Sequence, residues 1–113
     1  MKKIISLAES MIKTQNEVRE GSIKYLRKVL KKNGGKIDFN DYDTTQFVSV
    51  TYDGGNHPEY ASNAFSTVNS VFIDKNGDIC LNTEDSSGYD IDNISWEEVF
   101  EVAQFMYEVL KIR

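Results

Sequence analysis

The dipeptide Asn76-Gly77 constrains the fold more than any other feature of this sequence, because it stands between two runs of β-forming residues. The surrounding stretch reads SVFIDKNGDICLNT, and an Asn-Gly pair in this context predicts a hairpin closed by a two-residue type I′ turn. That turn would set Lys75 opposite Asp78 and Phe72 opposite Leu81. The chain is therefore expected to contain an antiparallel sheet, with this hairpin inside it.

The first third of the chain shows helical spacing of its apolar residues. Gly21 interrupts the pattern, and Ser22 directly after it is a suitable N-cap for a new helix. The pattern of residues 1–33 is compatible with one bent helix or with two successive helices. The run KKNGGK ends the segment, because a glycine of its Gly34-Gly35 pair can adopt the left-handed cap. The apolar face and its flank comprise Ile4, Ala8, Met11, Val18, Leu26 and Val29, with Ile5, Ile12, Ile23 and Leu30 beside them.

Further strands and a second helix complete the pattern. KIDF and QFVSVTY alternate apolar and polar residues with the period of a strand. Ser95 and Glu98 have the spacing of a capping box, which predicts that a C-terminal helix begins there. The fold class is therefore α+β: a helix, an antiparallel meander of about four strands, and a helix, with both helices on one sheet face. Residues 1–113 form a single domain.

The distribution of charge is uneven. Residues 1–36 carry ten basic and three acidic side chains, whereas residues 37–113 carry three basic and fifteen acidic ones. Such asymmetry indicates a charged partner, and an acidic surface that mimics nucleic acid is one interpretation of the second segment. Cys80 is the single cysteine and cannot form an intrachain disulfide, and no apolar run is long enough to span a membrane. These features predict an acidic cytoplasmic protein.

The segment SVTYDGGNHPEYASNAF contains the only histidine and the only proline, and it is long for a connection in a small domain. His57 could act as a general base or ligand beside neighbouring polar residues, which would make this loop a ligand-binding or hydrolytic site. One histidine supplies no zinc site, and no strong nucleophile stands beside it. The loop is therefore predicted to be an interaction surface without catalytic residues, formed by Asp53, Asn56, His57, Glu59 and Tyr60.

A basic stripe follows one face of the first helical segment, at Lys24, Arg27, Lys28, Lys31 and Lys32. Such a stripe could lie along phosphates, but the acidic total and an isoelectric point near 4.8 favour a solvated face over nucleic-acid binding. Neither DKNGD nor TEDSSGYDIDN has the ligand spacing of a calcium loop. The sequence therefore predicts no metal and no cofactor.

The stretches VTYDGGNHPEYASNAFSTV and VFIDKNGDICLNTED, followed by a capped helix, resemble small uncharacterised proteins of gut Bacteroidetes and their mobile elements. The resemblance covers about residues 34–110 and implies no catalytic or binding residues. It favours an accessory protein that acts through interactions. The leading hypothesis is a non-enzymatic domain that binds a protein partner, or a second copy of itself, through the 53–66 loop and the adjacent sheet surface.

Overall fold

The computed structural model describes residues 2–51, 65–85 and 88–113 and shows an α+β fold. In these residues, two helices pack against an antiparallel sheet of five strands, as the sequence predicts in outline. The elements in chain order are α1 (Lys2–Lys32), β1 (Lys36–Asp38), β2 (Ser49–Thr51), β3 (Phe65–Ile73), β4 (Ile79–Thr83), β5 (Tyr89–Asp90), a 3-10 turn (Ile91–Asn93) and α2 (Trp96–Glu108).

Helix α1 is continuous through Gly21, so the alternative of two successive helices is wrong. Its 31 residues make it about 46 Å long at 1.5 Å per residue, close to the 49 Å longest dimension of the molecule. The helix ends where the glycine pair predicts. Gly34 and Gly35 both have positive φ, and the Gly35 amide donates to the Leu30 carbonyl at 2.7 Å.

Strand β3 is the centre of the sheet, and each of its two edges is occupied. Strand β1 pairs with residues 70–72 and β2 with residues 65–67, while β4 pairs along residues 68–73. The Thr67 carbonyl accepts from Glu84 on the β4 side, and the adjacent Val68 amide donates to the Val48 carbonyl. Because adjacent residues of a strand point to opposite edges, β1 and β2 share the edge facing away from β4.

This topology corrects the simple meander, in which β1 would pair with its successor β2. Both strands instead pair with β3, and both are shorter than the sequence predicts. Phe47 lies in a turn rather than in β2, because the Thr44 carbonyl accepts from the amides of Phe47 and Val48. This turn carries the chain from the end of β1 to the start of β2.

The β3–β4 hairpin forms where predicted, but its register is one residue away from the prediction. Ile73 pairs with Ile79 and Phe72 with Cys80, so Phe72 does not face Leu81. The loop has three residues instead of two, because the Asp74 amide donates to the Asp78 carbonyl. Gly77 has a φ of 86°, whereas no non-glycine residue of the hairpin loop has positive φ. This is a type I turn with a glycine bulge, not a type I′ turn.

The core lies between the sheet and the C-terminal half of α1 together with α2. Leu26, Val29 and Leu30 of α1 are fully buried there. The rings of Phe39 and Phe105 pack in a tilted arrangement at 5.0 Å between centroids, joining the segment after β1 to α2. Residues of α2 that complete this core are Val99, Val102, Ala103, Phe105 and Met106.

The start of α2 confirms the predicted capping box. The Ser95 hydroxyl oxygen accepts from the Glu98 amide at 3.2 Å, and the Glu98 carboxylate accepts from the Ser95 amide at the same distance. The second oxygen of Glu98 accepts from the Thr51 amide at 2.6 Å. One side chain therefore fixes the start of α2 and attaches it to the end of β2.

Candidate interaction surface

Residues 53–64 of the predicted 53–66 interaction loop lie outside the described residues, whereas residues 65 and 66 belong to strand β3 instead of a loop. Asp53, Asn56, His57, Glu59 and Tyr60 all fall in the segment 52–64. The catalytic alternative based on His57 falls there as well. Both remain predictions from the sequence.

The basic stripe is on the described surface, and its members have different roles. Lys24, Lys28, Lys31 and Lys32 are exposed on α1. Arg27 is half-buried and donates to the Gly77 carbonyl at 2.8 Å, which attaches the β3–β4 turn to α1. Among the described residues, the four lysines of the stripe form no ion pair, whereas Arg27 makes a structural contact.

The two sequence segments with a calcium-like composition use their carboxylates for turns. Asp74 Oδ1 accepts from the amides of Asn76 and Asp78, each at 2.9 Å. The backbone donors of Asp78, Asn76 and Gly77 lower the pKa of Asp74, against a smaller opposing effect of burial. Asp90 accepts from the Asp92 amide at 2.9 Å. Within the described ranges, no group of three or more His, Cys, Asp or Glu side chains is placed to hold a metal ion.

Cys80 is buried in β4 and supplies no nucleophile. Its Sγ lies 3.6 Å from Asp74 Oδ2, and it is 5% exposed. Burial raises the pKa of the thiol to about 11, and the nearby Asp74 charge adds to this effect. The thiol is therefore protonated at neutral pH and unreactive.

An open groove runs between α1 and α2 on the outside of the helical layer, with a volume of about 430 Å³. Its floor consists of the small residues Gly21, Ser22 and Ala103. Its walls include Phe100 and Tyr107, which are 44% and 49% exposed. Because the floor residues are small, the backbone of a partner could approach closely between aromatic walls.

The groove is fixed at one end by aromatic contacts. Tyr25 and Tyr107 meet edge to face at 6.2 Å between ring centroids, and the Tyr25 hydroxyl donates to the Ile112 carbonyl. Burial raises the pKa of Tyr25, with a further contribution from Tyr107, so the Tyr25 phenol is neutral at pH 7. Glu17 and Glu108 also line the groove and give it a negative charge.

An apolar surface on α1 continues beyond the groove. Every described residue from Ser6 to Thr14 is exposed, including Leu7 at 65%, Met11 at 62% and Ile12 at 58%. Single exposed apolar residues are ordinary, but Leu7 and Met11 are one helical turn apart and form a contiguous patch, whereas Ile12 lies on a different face. Helical periodicity assigns Met11 to the face that is buried further along α1. The helix is longer than the sheet it covers, so that face extends past the core.

No protein-family model, curated protein or solved structure matches this chain. In the described residues, neither helix has a stretch apolar and long enough to cross a lipid bilayer.

Proposed function

We propose that this chain is a non-enzymatic interaction domain that binds an amphipathic helix in the groove between α1 and α2. The observation that carries the proposal is the apolar surface formed by the groove and the exposed start of α1. Phe100, Tyr107 and Met11 are each more than two-fifths exposed on this one layer. Exposing large apolar side chains to water is unfavourable. A partner that covers them therefore binds with a favourable contribution from the hydrophobic effect.

The shape of the groove favours a helix over an extended peptide. A strand would need free backbone groups at a sheet edge, whereas this groove is walled by side chains from two helices. The small floor at Gly21 and Ala103 allows close packing of a third helix. Glu17 and Glu108 favour a partner with lysine or arginine beside its apolar residues.

The described part of the chain gives less support to the other functions considered. Cys80 is protonated and buried, and every buried polar side-chain atom among the described residues has a hydrogen-bond partner. The basic stripe includes Arg27, which is engaged by the Gly77 carbonyl, and Glu20 lines the same depression as Lys24. A carboxylate among the cations weakens attraction to phosphate. We keep the cytoplasmic location that the sequence predicts, together with an accessory role consistent with the noted resemblance.

Site-specific photo-crosslinking tests the proposal. A photoreactive phenylalanine analogue replaces Tyr107 on the groove wall, and the same analogue replaces Tyr42 as a matched control. Both side chains are tyrosines of similar exposure, 49% and 45%, but Tyr42 does not line the groove. After irradiation in cells that make the protein, mass spectrometry identifies the crosslinked chain and peptide.

We expect a defined crosslinked product from position 107 and none from position 42. The crosslinked peptide should have apolar residues at helical spacing. Equal crosslinking from both positions, or no product from position 107, would contradict a binding groove between the helices.

A further inference from the structure

The exposed start of α1 and the groove form one continuous seam. Residues separated alternately by four and three positions follow one line on α1, which is the spacing of a coiled-coil interface. The second half of the line enters the groove. The Thr14 hydroxyl donates to the Ser10 carbonyl at 2.9 Å, which leaves its methyl group available for packing. The seam comprises Leu7, Met11, Thr14, Val18, Gly21 and Tyr25.

We infer that the helix that occupies this seam is α1 of a second copy, packed antiparallel; this inference rests on the function proposed above. A surface that pairs with itself around a twofold axis must be self-complementary. Over residues 7–21 the seam meets this requirement in shape, because the bulky Leu7 and Met11 lie toward one end and the small Gly21 lies toward the other. Tyr25, at the far end of the seam, packs against Tyr107 of its own chain. Antiparallel packing brings bulky and small ends together.

The distribution of charge along the seam also favours antiparallel packing. The first turn of α1 contains no acidic residue, and it is the positive end of the helix dipole. Glu17 and Glu108 lie at the groove, toward the other end of the seam. Antiparallel packing places each positive helix start beside the acidic groove of the other copy. Parallel packing would place the two positive starts together.

The seam also sets a register. Leu7 of one copy lies level with Val18 of the other, and Met11 lies level with Thr14, so large and small side chains alternate across the axis. In this register, position 4 comes level with Gly21. A Cβ added at Gly21 meets no heavy atom within 4 Å in the described part of the chain, apart from its own helix backbone and neighbours. The missing side chain therefore leaves room for the incoming helix.

Analytical ultracentrifugation of the full chain tests this inference with two neighbouring substitutions. Met11→Glu places a charge on the seam, whereas Ile12→Glu places the same charge on a different face at nearly equal exposure, 62% against 58%. We expect the wild type to sediment as a dimer of the 12.9 kDa chain. Met11→Glu should weaken dimerisation about 100-fold or more, because each dimer would bury two carboxylates among apolar groups.

The control variant Ile12→Glu should change the dimer dissociation constant by less than about threefold, as surface substitutions usually do. Both side chains are exposed in one chain, so circular dichroism should show unchanged folding of both variants. An equal effect of the two substitutions would overturn the assignment of the seam.

Disulfide trapping tests the direction of the helices. In a Cys80→Ala background, chains with Leu7→Cys are mixed with chains with Val18→Cys and oxidised. Antiparallel packing predicts the mixed disulfide, because the two positions lie level across the axis. Disulfides joining two Leu7→Cys chains in preference to the mixed product would show parallel packing and overturn the inference.

Failure of this inference can be distinguished from failure of the proposed function. If the wild type remains monomeric at the highest soluble concentration, the second copy is excluded as the occupant. A product from position 107 that contains a different protein would then preserve the proposed groove. A monomer that also gives no product from position 107 would overturn both.

Discussion

Replacing Gly21 with alanine should stabilise this domain, although Gly21 lies in the middle of α1. Glycine in a helix interior costs about 0.8–1.0 kcal/mol relative to alanine, because the unfolded chain loses more backbone freedom. The added methyl group enters open space, since no described heavy atom outside its local helix backbone and neighbours lies within 4 Å of the new Cβ. The free energy of unfolding should therefore rise by nearly the whole intrinsic difference. For a domain of this size, the melting temperature should rise by about 3–6 °C.

The assay is urea and thermal unfolding followed by far-UV circular dichroism. It is performed in a Met11→Glu background, so that association does not contribute to the measured stability. The midpoint of urea unfolding should rise while the slope of the transition stays unchanged. Gly34→Ala provides the matched control, because its new Cβ also meets nothing within 4 Å but its φ is +82°. Alanine in that left-handed conformation should destabilise the fold by about 1–2 kcal/mol.

A loss of stability in Gly21→Ala would refute this reasoning. It would mean either that α1 is interrupted at Gly21 in solution or that the groove is closed over it. In a chain able to dimerise, the same methyl group stands on the seam and should weaken association. Stability and partner binding would then respond in opposite directions to one substitution.

Two further predictions concern α2. Ser95→Ala should reduce the free energy of unfolding by about 1 kcal/mol, because the Glu98 amide loses its capping oxygen; Ser95→Asp should largely retain stability in the same chemical denaturation assay. An equal loss in both variants would contradict a capping role. Glu101→Gln should raise the melting temperature at pH 7, because burial and then the Glu98 charge raise the pKa of Glu101, so its ionised form opposes folding. The gain in melting temperature should disappear as the pH falls below 4.5, the ordinary pKa of a glutamate side chain. A gain that persists in acid would contradict an effect of charge.

Local sequence signals predicted the ends of elements well. Ser95 and Glu98 fixed the start of α2, and the glycine pair fixed the end of α1, because each acts through hydrogen bonds within one turn of backbone. The hairpin register failed for an equally local reason. An Asn-Gly pair suits a type I′ turn, but the Asp74 carboxylate accepts from two loop amides and stabilises a three-residue loop instead. One extra residue then moved every partner of β3 by one position.

The candidate surface was harder to predict, because it depends on where two helices meet. Periodicity shows that Met11 and Leu26 share the apolar side of α1, but not that the sheet ends between them. The groove likewise requires Phe100 of α2 and Gly21 of α1 to line the same cavity, although they are far apart in sequence. A helix of about 46 Å in a chain of 113 residues was the available signal, since its continuous pattern exceeds what a small sheet can cover.

Within the described residues, the strands at the borders of the sheet have two or three residues each: Lys36–Asp38, Ser49–Thr51 and Tyr89–Asp90. Lys36 and Asp38 additionally place an exposed ion pair at 3.4 Å on one border. Such short and charged borders offer few free amides and carbonyls for another chain to extend. Crowded molecules of this protein are thereby discouraged from joining sheet edge to sheet edge into fibres.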